Sequence, residues 1–178
     1  FNAFMINNRK EYYRFISSGF IHANWLHLGF NMIVLFYFGY AVESFYTQIM
    51  QDSYIAKASF ILLYLGGLVA SSIPDYLKHK DNHYFNSLGA SGATSAVLFS
   101  FILFQPWSML YIFGIIPIPA IIFGAIYIWY SSKMSKESSD NINHSAHLYG
   151  ALFGLVFTIV MKPQVIIIFI NQLLAFQL

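Results

Sequence analysis

The sequence predicts an all-α, polytopic membrane helical bundle, and three observations carry that expectation. Of the 178 residues, 58% are hydrophobic, 20% aromatic and only 9% charged, against roughly 25% charged in an ordinary soluble domain. Several stretches approach the ~20 uncharged residues that a helical span needs. Within them apolar and polar residues do not alternate, so the dyad pattern of a membrane β-barrel is missing. The absence of cysteine excludes disulfides and thiolate chemistry. A formal net charge of +2 gives no basis for binding nucleic acid.

Taken in order, residues 1–18 mix Arg9, Lys10, Glu11 and Arg14 with aromatics, as an interfacial loop does. Residue 1 is Phe and this polar stretch is no signal peptide, so an upstream portion is expected. A first span is expected over about 22–46. A second, over about 55–73, carries Gly66, Gly67 and Ala70 for close helix contact and is expected to stop at Pro74. After a charged loop over 75–84, a third span runs over about 86–104. The fourth, about 109–130, contains Pro117 and Pro119, which predict a kink or a late helix start. The polar loop 131–143 leads to a fifth span, about 144–161. The uncharged tail 163–178 is short for an upright span and is left unassigned. With no repeat or boundary in sight, 1–178 reads as one membrane domain. Alternating crossings put the starts of the first, third and fifth spans on one face.

Polar groups inside spans are expensive, about 2.5 to 3.5 kcal/mol for a charge at mid-helix, so those present need a reason. Ser91 opens the third span, and Gly89, Ala90, Gly92 and Ala93 strip the bulk around it. His27 and Asn31 stand one helical turn apart. His147 shares a helix face with Gly150, Ala151 and Gly154, a small stripe that lets this helix approach the serine helix closely. Brought together, Ser91 and His147 form a nucleophile and a general base. The Ser91 backbone N–H, His27 and Asn31 are candidate oxyanion donors. Glu43 falls at the far end of its helix, so a dyad is expected rather than a triad. Each feature alone has a plainer explanation: G-x-S-G and G-x-x-x-G are packing motifs, and a lone membrane histidine is commonly structural. The combination on same-side halves of three helices is harder to explain that way. His79 and His83 sit in a polar loop, and His144 reads as loop or helix cap. A metal site from His144 and His147 lacks H-E-x-x-H or a nearby carboxylate, so no metal is expected.

These residues also carry a resemblance. His22 to Asn31 reads H-x-x-x-x-H-x-x-x-N, Gly89 to Gly92 reads G-x-S-G, and Ala146 to Gly154 reads A-H-x-x-G-x-x-x-G. In this order the three resemble the rhomboid intramembrane serine proteases over most of the chain. The resemblance implies a rhomboid-like bundle in which Ser91 is the nucleophile, His147 the base, and His27 and Asn31 the oxyanion side chains. It gives His22 a supporting role. Tyr13-Arg14 resembles the family's Trp-Arg pair in the first external loop, which makes Arg14 structural, and Glu43 matches a glutamate that braces helix and loop. The family's core has six spans, so its first helix is expected to precede residue 1. At Ser95 some members place a tyrosine that stacks on the catalytic histidine. With serine there, no such stack is expected, and the base is held by Ser95 or by packing.

The function so implied is hydrolysis of peptide bonds in or near transmembrane helices of membrane proteins, without a cofactor, in a multi-pass protein of the bacterial inner membrane. In the family the first and fourth spans of this chain form a lateral gate. Of nine Lys and Arg, seven lie on the serine's side, which by the positive-inside rule faces that side inward; the resemblance implies an outward-facing site and is preferred. Two alternatives remain: a catalytically inactive relative that binds membrane proteins, and a proton-coupled transporter, for which no inverted repeat or carboxylate pair is present.

Overall fold

The computed structural model describes residues 1–112, 114–137, 140 and 142–175. Parts of the expected polar loop and of the tail therefore lie outside the described residues. The chain opens with two short helices, α1 (Ala3–Arg9) and α2 (Arg14–Ser17), and a single 3-10 turn over Ser18–Phe20. Two long helices follow, α3 (Trp25–Met50) and α4 (Ser53–His79), and then α5 (Ser91–Phe104). A hairpin of β1 (Met109–Ile112) and β2 (Ile116–Pro119) leads to α6 (Ala120–Glu137), α7 (His144–Met161) and α8 (Val165–Leu174). By length and hydropathy, three of these helices can cross a membrane: α3, α4 and α7.

The shorter α5 is the hub. Every residue from Gly92 to Phe104 is buried, because α5 packs against α3, α4 and α7, with α6 and α8 on its remaining sides. Its apolar surface has no single face, as expected for a helix buried all round. Small residues line its first turns and Phe99, Phe101 and Phe104 fill the far half, where Phe45 stacks on Phe104. In that half the Tyr46 hydroxyl meets Thr158 Oγ1 at 2.9 Å and Ser100 Oγ at 3.2 Å. Thr158 Oγ1 also donates to Ser100 Oγ at 2.8 Å, which links α3, α5 and α7 in a fully buried hydroxyl triangle.

Several boundaries differ from the sequence expectation, and the main ones have identifiable causes. The first span starts at Trp25 rather than 22, since the Asn24 side chain accepts from the His27 N–H at 2.8 Å and caps the helix; His22 precedes the helix. The second does not stop at Pro74. A proline within a helix removes one donor, while the continuing turns gain contacts between Asp75 and Asn143 and between the Tyr76 hydroxyl and Asn7. The third begins at Ser91, with 86–90 non-helical. The fourth is no span from 109: residues 109–112 pair antiparallel with 116–119, Met109 opposite Pro119, residue 113 lies outside the described residues, and the helix starts late, directly after Pro119. Prolines lack the N–H of a ladder but fit a two-stranded edge. The helix then runs past 130 to Glu137. The fifth element, α7, begins at His144, capped by Asn143, and the tail contains α8.

Candidate active site

The loop before α5 is shaped by Gly89, whose φ of +108° lies in the left-handed region that favours glycine. Its N–H donates to the Ser18 carbonyl at 3.0 Å. A Cβ there would fall 2.8 Å from Nε2 of His27, so only glycine lets this backbone lie against that imidazole. Two residues later the chain enters α5 at Ser91, which is half-buried. The first turn of α5 thus places the serine two residues past the glycine that lies against His27, with the positive end of the helix dipole around it.

A cavity of about 1000 Å³ opens here. Ser91, His27, Asn31 and His147 all line it. Thr94 Oγ1 donates to the Asn31 Oδ1 at 2.9 Å, and Asn31 Nδ2 donates to the His27 carbonyl at 3.1 Å. With its oxygen fixed by Thr94, the amide keeps a second N–H for the cavity. His22 lies edge-on to His27, ring centroids 5.1 Å apart, with its Nε2 buried and without a partner among the described residues. Burial, together with the neighbouring His27, holds the His22 imidazole below its ordinary pKa.

His147 sits in the first turn of α7. Its N–H donates to the Asn143 carbonyl at 3.2 Å, and the Asn143 side chain caps the helix by accepting from the Ala146 N–H at 2.9 Å. The same side chain donates to Asp75 Oδ2 at 2.5 Å and to Ser87 Oγ at 2.8 Å. Asp75 is buried at 4% exposure and also lines the cavity. A carboxylate of α4 therefore anchors the turn that carries His147. Reading 75–84 as a solvated loop hides this residue; its partner lies 68 positions on, and no local pattern points to it.

Among the described residues no hydrogen bond joins the Ser91 hydroxyl to the His147 ring. Such bonds are often long in an empty site and tighten when substrate binds. The helices themselves are in close contact: a Cβ on Gly150 would meet the carbonyl group of Gly92, and one on Gly154 would fall 2.6 Å from Ala96 Cα. On Gly92 it would strike the Ser71 side chain.

No ring reaches His147 from position 95, and one packs on it from another helix: Tyr127 of α6 lies with centroids 6.1 Å apart and planes 24° from parallel. Its hydroxyl meets Ser95 Oγ at 2.6 Å. Two supporting residues are peripheral. Arg14 forms an ion pair with Glu11 beside Tyr13. The Glu43 carboxylate, 12 residues or about 18 Å along α3 from Asn31, has no hydrogen-bond or ion-pair partner among the described residues. His144 pairs with Asp140 at 3.2 Å, and among the described residues no group of three His, Cys, Asp or Glu is placed to hold a metal ion.

Membrane-length helices around a histidine-lined cavity define a polytopic integral membrane protein whose candidate site is sunk among its helices. A model of the Rhomboid domain matches residues 9–164, and the chain belongs to the rhomboid family. It is 33% identical over 147 residues to RHOMBOID-like protein 12, mitochondrial, of Arabidopsis thaliana, covering 79% of this chain and 44% of that one. It is 28% identical over 170 residues to Rhomboid-like protein 11, chloroplastic, of the same plant, covering 86% and 54%. Rhomboid protein 1, mitochondrial, of Saccharomyces cerevisiae is 27% identical over 148 residues, covering 80% and 40%. The chain spans about half the length of these relatives.

Proposed function

We propose that the protein is an intramembrane serine endopeptidase acting on membrane-protein substrates within the bilayer, as one membrane domain. The observation that carries this reading is the convergence of Ser91, His147, His27 and Asn31, from three helices, on one cavity. His147 takes the proton as Ser91 Oγ attacks the scissile carbonyl, then gives it to the leaving amine. Water hydrolyses the resulting acyl-enzyme by the same route. The Ser91 N–H, the free Asn31 N–H and His27 receive the oxyanion. Gly89, Gly92, Gly150 and Gly154 allow the close approach of backbone and ring that this geometry needs, and no cofactor enters any step.

A second reading is favoured by one observation, the missing Ser91–His147 hydrogen bond: a relative that binds membrane proteins without cutting them. Labelling of the detergent-solubilised protein by a fluorophosphonate separates the two. Under the protease reading the parent labels, Ser91→Ala does not, and His147→Ala slows labelling by about 100-fold or more. A folded parent that fails to label supports the binder. The relatives' names favour a mitochondrial or plastid membrane, and the bacterial inner membrane finds no support among them; fractionation of the native cells checks this.

A further inference from the structure

The ring on His147 belongs to α6, and this carries a consequence for how the site is held. Ser95 Oγ donates to the Ser91 carbonyl at 2.7 Å. A serine hydroxyl has a single proton, so in the 2.6 Å contact between Ser95 and Tyr127 the tyrosine is the donor. The result is a directed chain from the Tyr127 O–H to the Ser95 O–H to the backbone carbonyl of the serine itself, while the face of the same ring lies on His147. One side chain of α6 thereby packs on the base directly and reaches the backbone of the nucleophile through Ser95. Phe99 and Phe123 flank the ring, with centroids 5.5 and 5.7 Å from it, which leaves it little freedom to tilt.

We infer that Tyr127 is a positioning residue: it holds the His147 ring in line with Ser91, and its attachment to α6 makes the alignment of the dyad depend on how α6 is seated against α5 and α7. The inference rests on the protease reading. Because both contacts belong to one side chain, any displacement of α6 relative to α5 and α7 would take the ring off His147 and part it from Ser95 together.

Two measurements on the full chain test this. The first is the fluorophosphonate labelling rate as a function of probe concentration, for the parent, Tyr127→Leu, Tyr127→Phe, Ser95→Ala and the double variant Ser95→Tyr/Tyr127→Leu, which returns a ring to the serine's own helix. Misplacement of a reacting group by about 1 Å can lower a rate by about 100-fold. Tyr127→Leu is therefore expected to lower the limiting rate at least 10-fold with a small change in half-saturating concentration. Tyr127→Phe and Ser95→Ala fall between, and the double variant recovers part of the loss. The second is the ring-current displacement of the His147 imidazole protons by NMR, expected in the parent and in Tyr127→Phe and lost in Tyr127→Leu. It needs no activity. Loss of the displacement with unchanged labelling overturns the positioning role. So does unchanged displacement in Tyr127→Leu. A folded parent that shows the displacement but never labels refutes the protease reading itself, and the positioning role for chemistry with it.

Discussion

Substituting Gly150 by alanine puts the contact between α5 and α7 to a quantitative test. The new Cβ would stand 2.8 Å from the carbonyl carbon of Gly92 and 2.9 Å from its Cα, where ordinary contact begins near 3.4 Å. Both atoms are backbone of a helix buried along its length, so no side chain can swing away. The helices must part by on the order of 1 Å, at a point one turn from His147 and one residue from Ser91, and a displacement of that size is worth about 100-fold in rate, or about 2.7 kcal/mol. Overpacking of this kind also costs about 1–3 kcal/mol of stability, partly offset by the ~0.5–1 kcal/mol that alanine gains over glycine within a helix. Gly29→Ala supplies that gain alone, because nothing lies within 4 Å of its added Cβ. The assay is fluorophosphonate labelling kinetics alongside thermal unfolding in detergent. Gly150→Ala is expected to label about 100-fold more slowly and to unfold earlier than Gly29→Ala. Labelling at the parent rate, with a stability equal to that of Gly29→Ala, would refute the argument that these glycines set the spacing of the dyad.

Three further outcomes follow from named contacts. Asp75→Ala leaves Asn143 without its buried acceptor and is expected to destabilise by about 1–3 kcal/mol; amide exchange in the first turn of α7 should rise, and unchanged exchange counts against the anchor. Tyr46→Phe removes one corner of the hydroxyl triangle and should lower stability by about 0.6 kcal/mol, the typical size of an interhelical hydrogen bond in a membrane, read from unfolding midpoints and without effect on labelling. For His22, the lowered pKa of the folded state means that the unfolded chain binds the proton more readily. Its contribution is then present above about pH 6.5 and lost as the pH falls toward its lowered value, so acidification from 7.5 to 5 should destabilise the parent more than His22→Gln. Equal losses in both proteins would dismiss that linkage.

The sequence already shows where the spans lie when their signals are local. Asn143 before an uncharged run fixes the start of α7, and the small residues around Ser91 identify the hub. Three features escape it because their causes are tertiary. Pro74 reads as a stop, yet Asp75 and Tyr76 keep the helix going through partners on α7 and α1. The run 109–119 is as apolar as a span, and pairing across a turn makes it a hairpin. Ser95 lacks a tyrosine at its own position, while the ring arrives from α6, 32 residues away. The set Ser91, His27, Asn31 and His147 is legible because motif spacing and helix periodicity act together. Thr94, Asp75 and Tyr127, which orient those residues, are not, since hydrogen-bond partners far apart in sequence leave no periodic trace.

The shortness of α5 bears on how such a protein is assembled. Its 14 residues reach about 21 Å at 1.5 Å per residue, less than the ~30 Å of a bilayer's hydrocarbon core. Alone in lipid it would leave backbone groups at one end uncovered in hydrocarbon, where each unsatisfied group is costly. Its neighbours α3, α4 and α7 are long enough to cross the membrane and, packed around it, to shelter it. During biogenesis the turn bearing Ser91 therefore becomes stable late, once the surrounding helices have closed. A half-inserted chain drifting among nascent membrane proteins presents no finished pocket to them.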